Sequence, residues 1–156
     1  MARYSVETVT ENGFEIVRLS DAERSLRVGV VPAIGNNAFE YSLKGENYMF
    51  TGGSSLAEIK ERRRLCGNPL LAPWANRLSP SSFPAHGRTY TLREEVGNLR
   101  KDPNGLPIHG LLAFSDAWEV MYAEAFENRA EVTSRLEFWR FPELMAQWPF
   151  AHSLFI

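Results

Sequence analysis

Asn76 and Arg77 sit in one apolar, proline-punctuated run, Asn68-Pro-Leu-Leu-Ala-Pro-Trp-Ala-Asn-Arg-Leu78, and His109 sits in another, Asn104-Gly-Leu-Pro-Ile-His-Gly-Leu-Leu112. Both runs are too hydrophobic for an exposed loop. Neither alternates like a strand or recurs at helical spacing. Segments of this kind are pinned against a core while aiming a few polar groups into a cleft, which is how small-molecule sites are built. Each residue alone also has a purely structural reading. Arg77 can cap carbonyls or pair with a carboxylate, Asn76 can satisfy nearby backbone, and His109 can be a buried imidazole bonded to backbone. It is their combination that makes a candidate site.

The elements that must position these groups are mostly strands. Tyr4 to Val9 and Phe14 to Leu19 flank Glu11-Asn12-Gly13, and Asn-Gly is the strongest short hairpin signal. Leu26, Val28 and Val30 alternate up to Pro32. Ala38 to Leu43 leads into the turn Lys44-Gly45-Glu46-Asn47, after which Tyr48-Met49-Phe50 is expected to pair back. A helix is predicted from Ser55, which has capping-box spacing to Glu58, to about Arg64, stopped by Gly67 and Pro69. Phe83 and Tyr90-Thr91-Leu92 frame a hairpin around Ala85-His86-Gly87. Trp118 to Tyr122 and Val132 to Trp139 form two further strands around Glu127-Asn128, and Trp148 to Ile156 begins another. Many short strands with a single helix predict one all-β domain over residues 1–156, an antiparallel β-sandwich or barrel. Trp118, Trp139, Phe138 and Phe141 are expected in its core.

Composition bounds the function. The chain has 156 residues, 44% hydrophobic and 23% charged, with a net charge of -2. That is long enough to bury a core. It carries no basic face of the kind that binds nucleic acid. Arg62-Arg63-Arg64 reads as the solvated end of the short helix. No apolar run approaches the ~18 residues of a membrane helix, and Met1-Ala-Arg-Tyr-Ser leads straight into alternating residues, so no secretory segment is expected. The lone Cys66 excludes an internal disulfide and reads as a small buried hydrophobe in a reducing compartment, so the cytoplasm is the expected location. His86 reads as a residue of a surface turn.

Pro73-Trp-Ala-Asn-Arg-Leu78, Asn104-Gly-Leu-Pro-Ile-His-Gly110 and Trp118-Glu-Val, in that order, resemble the aldose 1-epimerase (galactose mutarotase) family. The likeness extends through Gly35 and Asn36, the Lys44–Asn47 turn, and Arg140 to His152, so it spans nearly the whole chain. It implies a galactose mutarotase-like β-supersandwich, incomplete here, that interconverts the α and β anomers of a free monosaccharide without metal or cofactor. Ring opening needs a proton on the ring oxygen and loss of one from the C1 hydroxyl. A general acid and a general base supply these, each contributing ~10²–10⁴-fold. The resemblance assigns substrate binding to Asn76, Arg77 and His109, with His109 a possible assistant in proton transfer, and suggests that a face of Trp74 or Trp148 stacks on the sugar.

By the same resemblance the catalytic acid, a second histidine, and the catalytic base, a late glutamate, would lie past Ile156. On that reading the chain is the N-terminal part of a longer protein, holding part of the binding site without the acid/base pair. His152 resembles the strand before the catalytic histidine and is expected to be structural. Two alternatives stay open. One is a carbohydrate-binding module without catalytic groups. The other is an epimerase for hexose 6-phosphates, for which Arg100 and Lys101 are the basic candidates. Oligomeric state is not determined by the sequence, although unpaired strand edges favour self-association.

Overall fold

The hydrophobic alternation noted above becomes a meander of five antiparallel strands: β1 (Tyr4–Glu11), β2 (Phe14–Asp21), β3 (Leu26–Val31), β4 (Asn37–Leu43) and β5 (Glu46–Asn47), hydrogen-bonded in chain order. The structure, a computed structural model, describes residues 2–52 and 54–156. The first hairpin turns on Asn12 and Gly13, both at positive φ, as a two-residue turn between right-twisted strands requires. β5 lies at Glu46–Asn47, residues expected in the turn, and Tyr48-Met49-Phe50 does not form the expected strand. The Asn47 side chain accepts from the amides of Tyr41 and Met49 and donates to the Phe39 carbonyl. A side-chain amide thus takes over the ladder, and Tyr48 to Phe50 leave the sheet.

Helix α1 (Leu56–Arg62) begins at Ser55 with both bonds of the capping box in place, and Arg63 caps its other end in the left-handed region. Ile59 points from α1 into a core of Ile16, Val31, Ile34, Phe39 and Cys66. Burial raises the Cys66 thiol pKa, against a smaller opposing effect of Arg64. Arg62 to Arg64 are solvent-exposed, as expected.

A small hairpin follows, β6 (Ser82–Ala85) with β7 (Arg88–Thr91), turning at His86 and Gly87. The remaining strands, β8 (Glu119–Ala125), β9 (Ala130–Glu137) and β10 (Ser153–Phe155), make a separate antiparallel sheet with β9 in the middle. It meets the first sheet where β8 and β9 come against β1 and β2. A second core lies on this side, built from Trp74, Leu92, Leu111, Leu112, Trp118, Leu136, Phe138 and Leu144.

Three expectations are corrected here. A second helix, α2 (Pro142–Gln147), was not expected, since the sequence predicted a single helix. Pro142 sits in the first turn, where its missing N–H costs nothing. Phe141, Leu144, Met145 and Trp148 recur at helical spacing, and all pack on the second core. β9 ends at Glu137, so Phe138 and Trp139 lie in a 3₁₀ turn rather than a strand. The inward alternation of Ser134 and Leu136 carries on to the fully buried Phe138, whereas Trp139 points outward and is half exposed. Trp118, just ahead of β8, is core as expected.

Because Phe138 joins β9, the second core and the ring of His152, which stacks on it at 4.5 Å, Phe138→Ala is expected to destabilise the chain by about 3–5 kcal/mol. Chemical denaturation followed by circular dichroism measures this; a loss below about 1 kcal/mol would show that the second core does not depend on it.

Candidate functional site

Three irregular segments lie side by side and pack their apolar residues into the second core. Arg77 pairs with Ile108 as an antiparallel bridge, flanked by Leu78 N–H donating to the Pro107 carbonyl and His109 N–H to the Asn76 carbonyl, each at 2.9 Å. On the other side Lys101 bridges to Pro107, and Ile108 N–H donates to the Arg100 carbonyl at 3.0 Å. The His109 segment is therefore the middle rung of a short ribbon, with the Asn76-Arg77 and Arg100–Asp102 segments as its edges.

Local geometry explains the residue types. Gly110, at positive φ, passes so close to Ala72 that a Cβ would lie 2.1 Å from the Ala72 oxygen, so no other residue fits. The same oxygen accepts from Leu111 N–H at 2.7 Å and Leu112 N–H at 3.2 Å, docking both leucines in the second core. Asn76 and His109, on opposed rungs, both have φ in the left-handed region, at 54° and 66°. Non-glycine residues seldom adopt it, asparagine and histidine being among the more tolerant, and such strained positions concentrate at functional sites.

Arg77 is half exposed. Its Nε donates to the Oδ2 of Asp102, and one terminal nitrogen donates to Asn76 Oδ1 at 3.1 Å. Asp102 is a buried carboxylate that sequence reasoning missed. Its other oxygen accepts from the amides of Asn104 (2.8 Å) and Leu106 (2.9 Å), closing the turn that leads to His109. The Arg77 guanidinium, then these amides, hold its pKa below the ordinary carboxylate value. The signal was present in Asp102-Pro-Asn-Gly105, since aspartate before such a turn accepts from backbone amides ahead of it.

His109 is partly buried, and its Nδ1 is buried without a protein partner. Burial, then the positive charges of Arg100 and Arg77, lower its pKa, so the imidazole is neutral near pH 7. A neutral imidazole has one donor and one acceptor nitrogen, the equipment needed to exchange a proton with a hydroxyl.

The ribbon opens beside a cleft of about 320 Å³. Arg100 and residues 110–117 line it, with Lys60 and Arg63 from the end of α1 and Phe141 and Leu144 from the α2 side. Asn76, Arg77 and His109 adjoin this cleft through the ribbon rather than forming its wall. The two tryptophans are committed elsewhere. Trp74 lies on Trp148 at 5.3 Å, and Phe83 on Trp148 at 4.8 Å, so these rings form a floor in the second core. His152 is likewise engaged, with Nδ1 2.6 Å from the Phe150 carbonyl. Lys101 points away from Arg100 and is bound by Glu94. Among the described residues, no three His, Cys, Asp or Glu side chains gather to hold a metal ion, and no helix is long and apolar enough to cross a membrane.

No protein-family model matches the sequence, and no curated relative does. Solved structures do match. A galactose mutarotase-like protein from Clostridium acetobutylicum superposes with a TM-score of 0.79 at 18% identity, over 98% of this chain and 44% of that one. The Slr1438 protein of Synechocystis sp. superposes with a TM-score of 0.64 at 20% identity, over 90% of this chain and 42% of that one. The likeness shows the fold, an antiparallel β-sandwich of the galactose mutarotase-like kind. The chain spans less than half the length of either neighbour.

Two titrations follow. In the folded chain the His109 imidazole should titrate below the ordinary value of about 6.5, and Arg100→Gln should move it upward. Because the unfolded chain takes up this proton first, stability should fall as pH drops below about 6.5. His109→Asn, which tolerates the backbone conformation, should remove that part of the slope. Asp102 works through the opposite charge. Its contribution is fully present near neutral pH and is lost as pH falls through its depressed pKa, so Asp102→Asn should lower the melting temperature near pH 7. NMR of the histidine ring protons and thermal melts across pH report both. An unshifted His109 would contradict the electrostatics described.

Proposed function

We propose that the chain binds a monosaccharide through Asn76, Arg77 and His109, and that it belongs to an aldose 1-epimerase-like isomerase acting at C1. The observation that carries this reading is the antiparallel pairing of the Asn76-Arg77 and His109 segments. It sets an amide, a guanidinium and a neutral imidazole on adjoining rungs beside a cleft. The galactose mutarotase-like fold of the structural neighbours supports the same reading.

In the proposed reaction the C1 hydroxyl loses a proton and the ring oxygen gains one. The bond from C1 to the ring oxygen breaks and the aldehyde forms. Rotation about the C1–C2 bond then presents the other carbonyl face, and reclosure reverses each transfer, so atoms and protons balance. Arg77, with its Nε held by Asp102, keeps terminal N–H groups for sugar hydroxyls or the ring oxygen. His109 can relay a hydroxyl proton. The general acid and base of this chemistry are not assigned to residues of the chain, so these 156 residues supply binding and the full reaction needs further groups.

A binding-only reading is favoured by one observation. The charged groups that shift the His109 pKa, Arg100 and Arg77, are both cations, and among the described residues no carboxylate hydrogen-bonds to the imidazole. Polarimetry of freshly dissolved glucose or galactose separates the two readings. The chain is expected to bind the sugar while barely accelerating anomer equilibration above the spontaneous rate. A protein that also carries the acid and base should accelerate it strongly. Arg77→Ala should weaken sugar binding by about 10- to 150-fold, the worth of a hydrogen bond to a charged group, in calorimetric titration. Full acceleration by this chain would overturn the division of labour, and undiminished affinity in Arg77→Ala would overturn the site.

A further inference from the structure

Arg100 is a half-buried cation without a carboxylate. Among the described residues the other half-buried arginines, Arg3, Arg18, Arg93 and Arg135, all have carboxylate partners. The arginines that lack one, Arg62, Arg63, Arg64 and Arg88, are solvent-exposed and need none. Arg100 donates from one terminal nitrogen to the Arg63 carbonyl at 2.5 Å, its guanidinium lies 5.5 Å from the centre of the Phe114 ring, and its Nε is buried with no acceptor. Withdrawing a guanidinium from water costs free energy unless an anion or several acceptors replace the water. Here one carbonyl does so, and Arg63 adds a second positive charge beside it.

The cleft that Arg100 lines carries three cations, Lys60, Arg63 and Arg100, and two acids, Asp116 and Glu143. Lys60 is already held by Asp116 and by the Ala33 carbonyl. Glu143 is exposed on the first turn of α2, away from any ion pair with Arg63 or Arg100. The unmatched charge is therefore positive and centred on Arg100. The cleft volume, about 320 Å³, falls at the small end of the ~300–1,000 Å³ range of ligand pockets, and His109 is close enough for the Arg100 charge to depress its pKa.

We infer that this cleft receives the acidic group of an anionic monosaccharide, a carboxylate or a phosphate monoester, on the Arg100 guanidinium, while the sugar ring lies toward His109. The inference rests on the sugar-binding reading above and narrows its substrate class. It also separates Arg100 from Lys101: the two are consecutive in an extended segment, their side chains diverge, and Glu94 already satisfies the lysine.

The test is calorimetric titration of the 156-residue chain with glucose, glucuronate, glucose 6-phosphate and inorganic phosphate, alongside NMR of the arginine Nε–H signals. At low salt an acidic sugar is expected to bind about 10- to 150-fold more tightly than glucose and to shift the Arg100 Nε–H signal. Whichever of glucuronate and glucose 6-phosphate binds more tightly identifies the acidic group. Arg100→Gln should abolish the preference, and Arg88→Gln, on β7, should change nothing. Equal affinity for glucose and both acidic sugars would overturn the anion site but leave the sugar-binding reading standing. Inorganic phosphate binding as tightly as glucose 6-phosphate, with glucose not bound, would overturn the sugar reading and with it this inference. A preference that survives in Arg100→Gln would also overturn it.

Discussion

At Gly110 the chain crosses the Ala72 carbonyl at a distance no side chain tolerates, and the arrangement of the site depends on that crossing. The contact brings two hydrophobic runs separated by more than thirty residues into one plane, and their leucines and Trp74 lock them into the second core. With the runs fixed, the carbonyl of Asn76 has a donor in His109, and the peptide of Arg77 lies opposite Ile108. The left-handed conformations of Asn76 and His109 then follow, because the backbone must turn at both rungs to leave the ribbon. That strain is sustained by the hydrophobic burial on either side.

Charge arranges the rest. The Asp102 carboxylate is fully used: one oxygen on Arg77, the other on the amides of its own turn. It orients the guanidinium and closes the loop leading to His109, so a single buried anion links both motifs. It leaves nothing for Arg100, two residues before it in the same edge segment. Burial first, and then the charges of Arg100 and Arg77, favour the neutral His109 imidazole. The candidate site consequently sets the Arg77 donor fork and an uncharged imidazole next to Arg100, a cation without a carboxylate partner.

The surrounding sandwich is open where its second sheet ends. β8 and β10 are edge strands, β8 carries a register shift between Val120 and Tyr122, and Phe155 and Ile156 are exposed. A bulge of that kind twists an edge strand and makes it a poorer template for unwanted pairing. The structural neighbours are more than twice as long as this chain.

Patterns with short range were legible in the sequence: the Asn12-Gly13 turn, the period-two alternation of β1 to β4, the Ser55–Glu58 capping box and the hairpin at His86. Each is set by residues within a few positions of one another, so backbone sterics and local hydrogen bonds decide it. The two polar motifs were legible as types and spacing for the same reason. Tertiary structure alone decided where Asn47 ends the meander, that Pro142 opens a helix, that Trp74 and Trp148 face each other, and that Trp139 faces water. It alone chose Asp102 as the partner of Arg77 and left Arg100 without one. Those outcomes depend on which distant group occupies the facing space and how much water it excludes, and a linear pattern of residues does not encode either quantity.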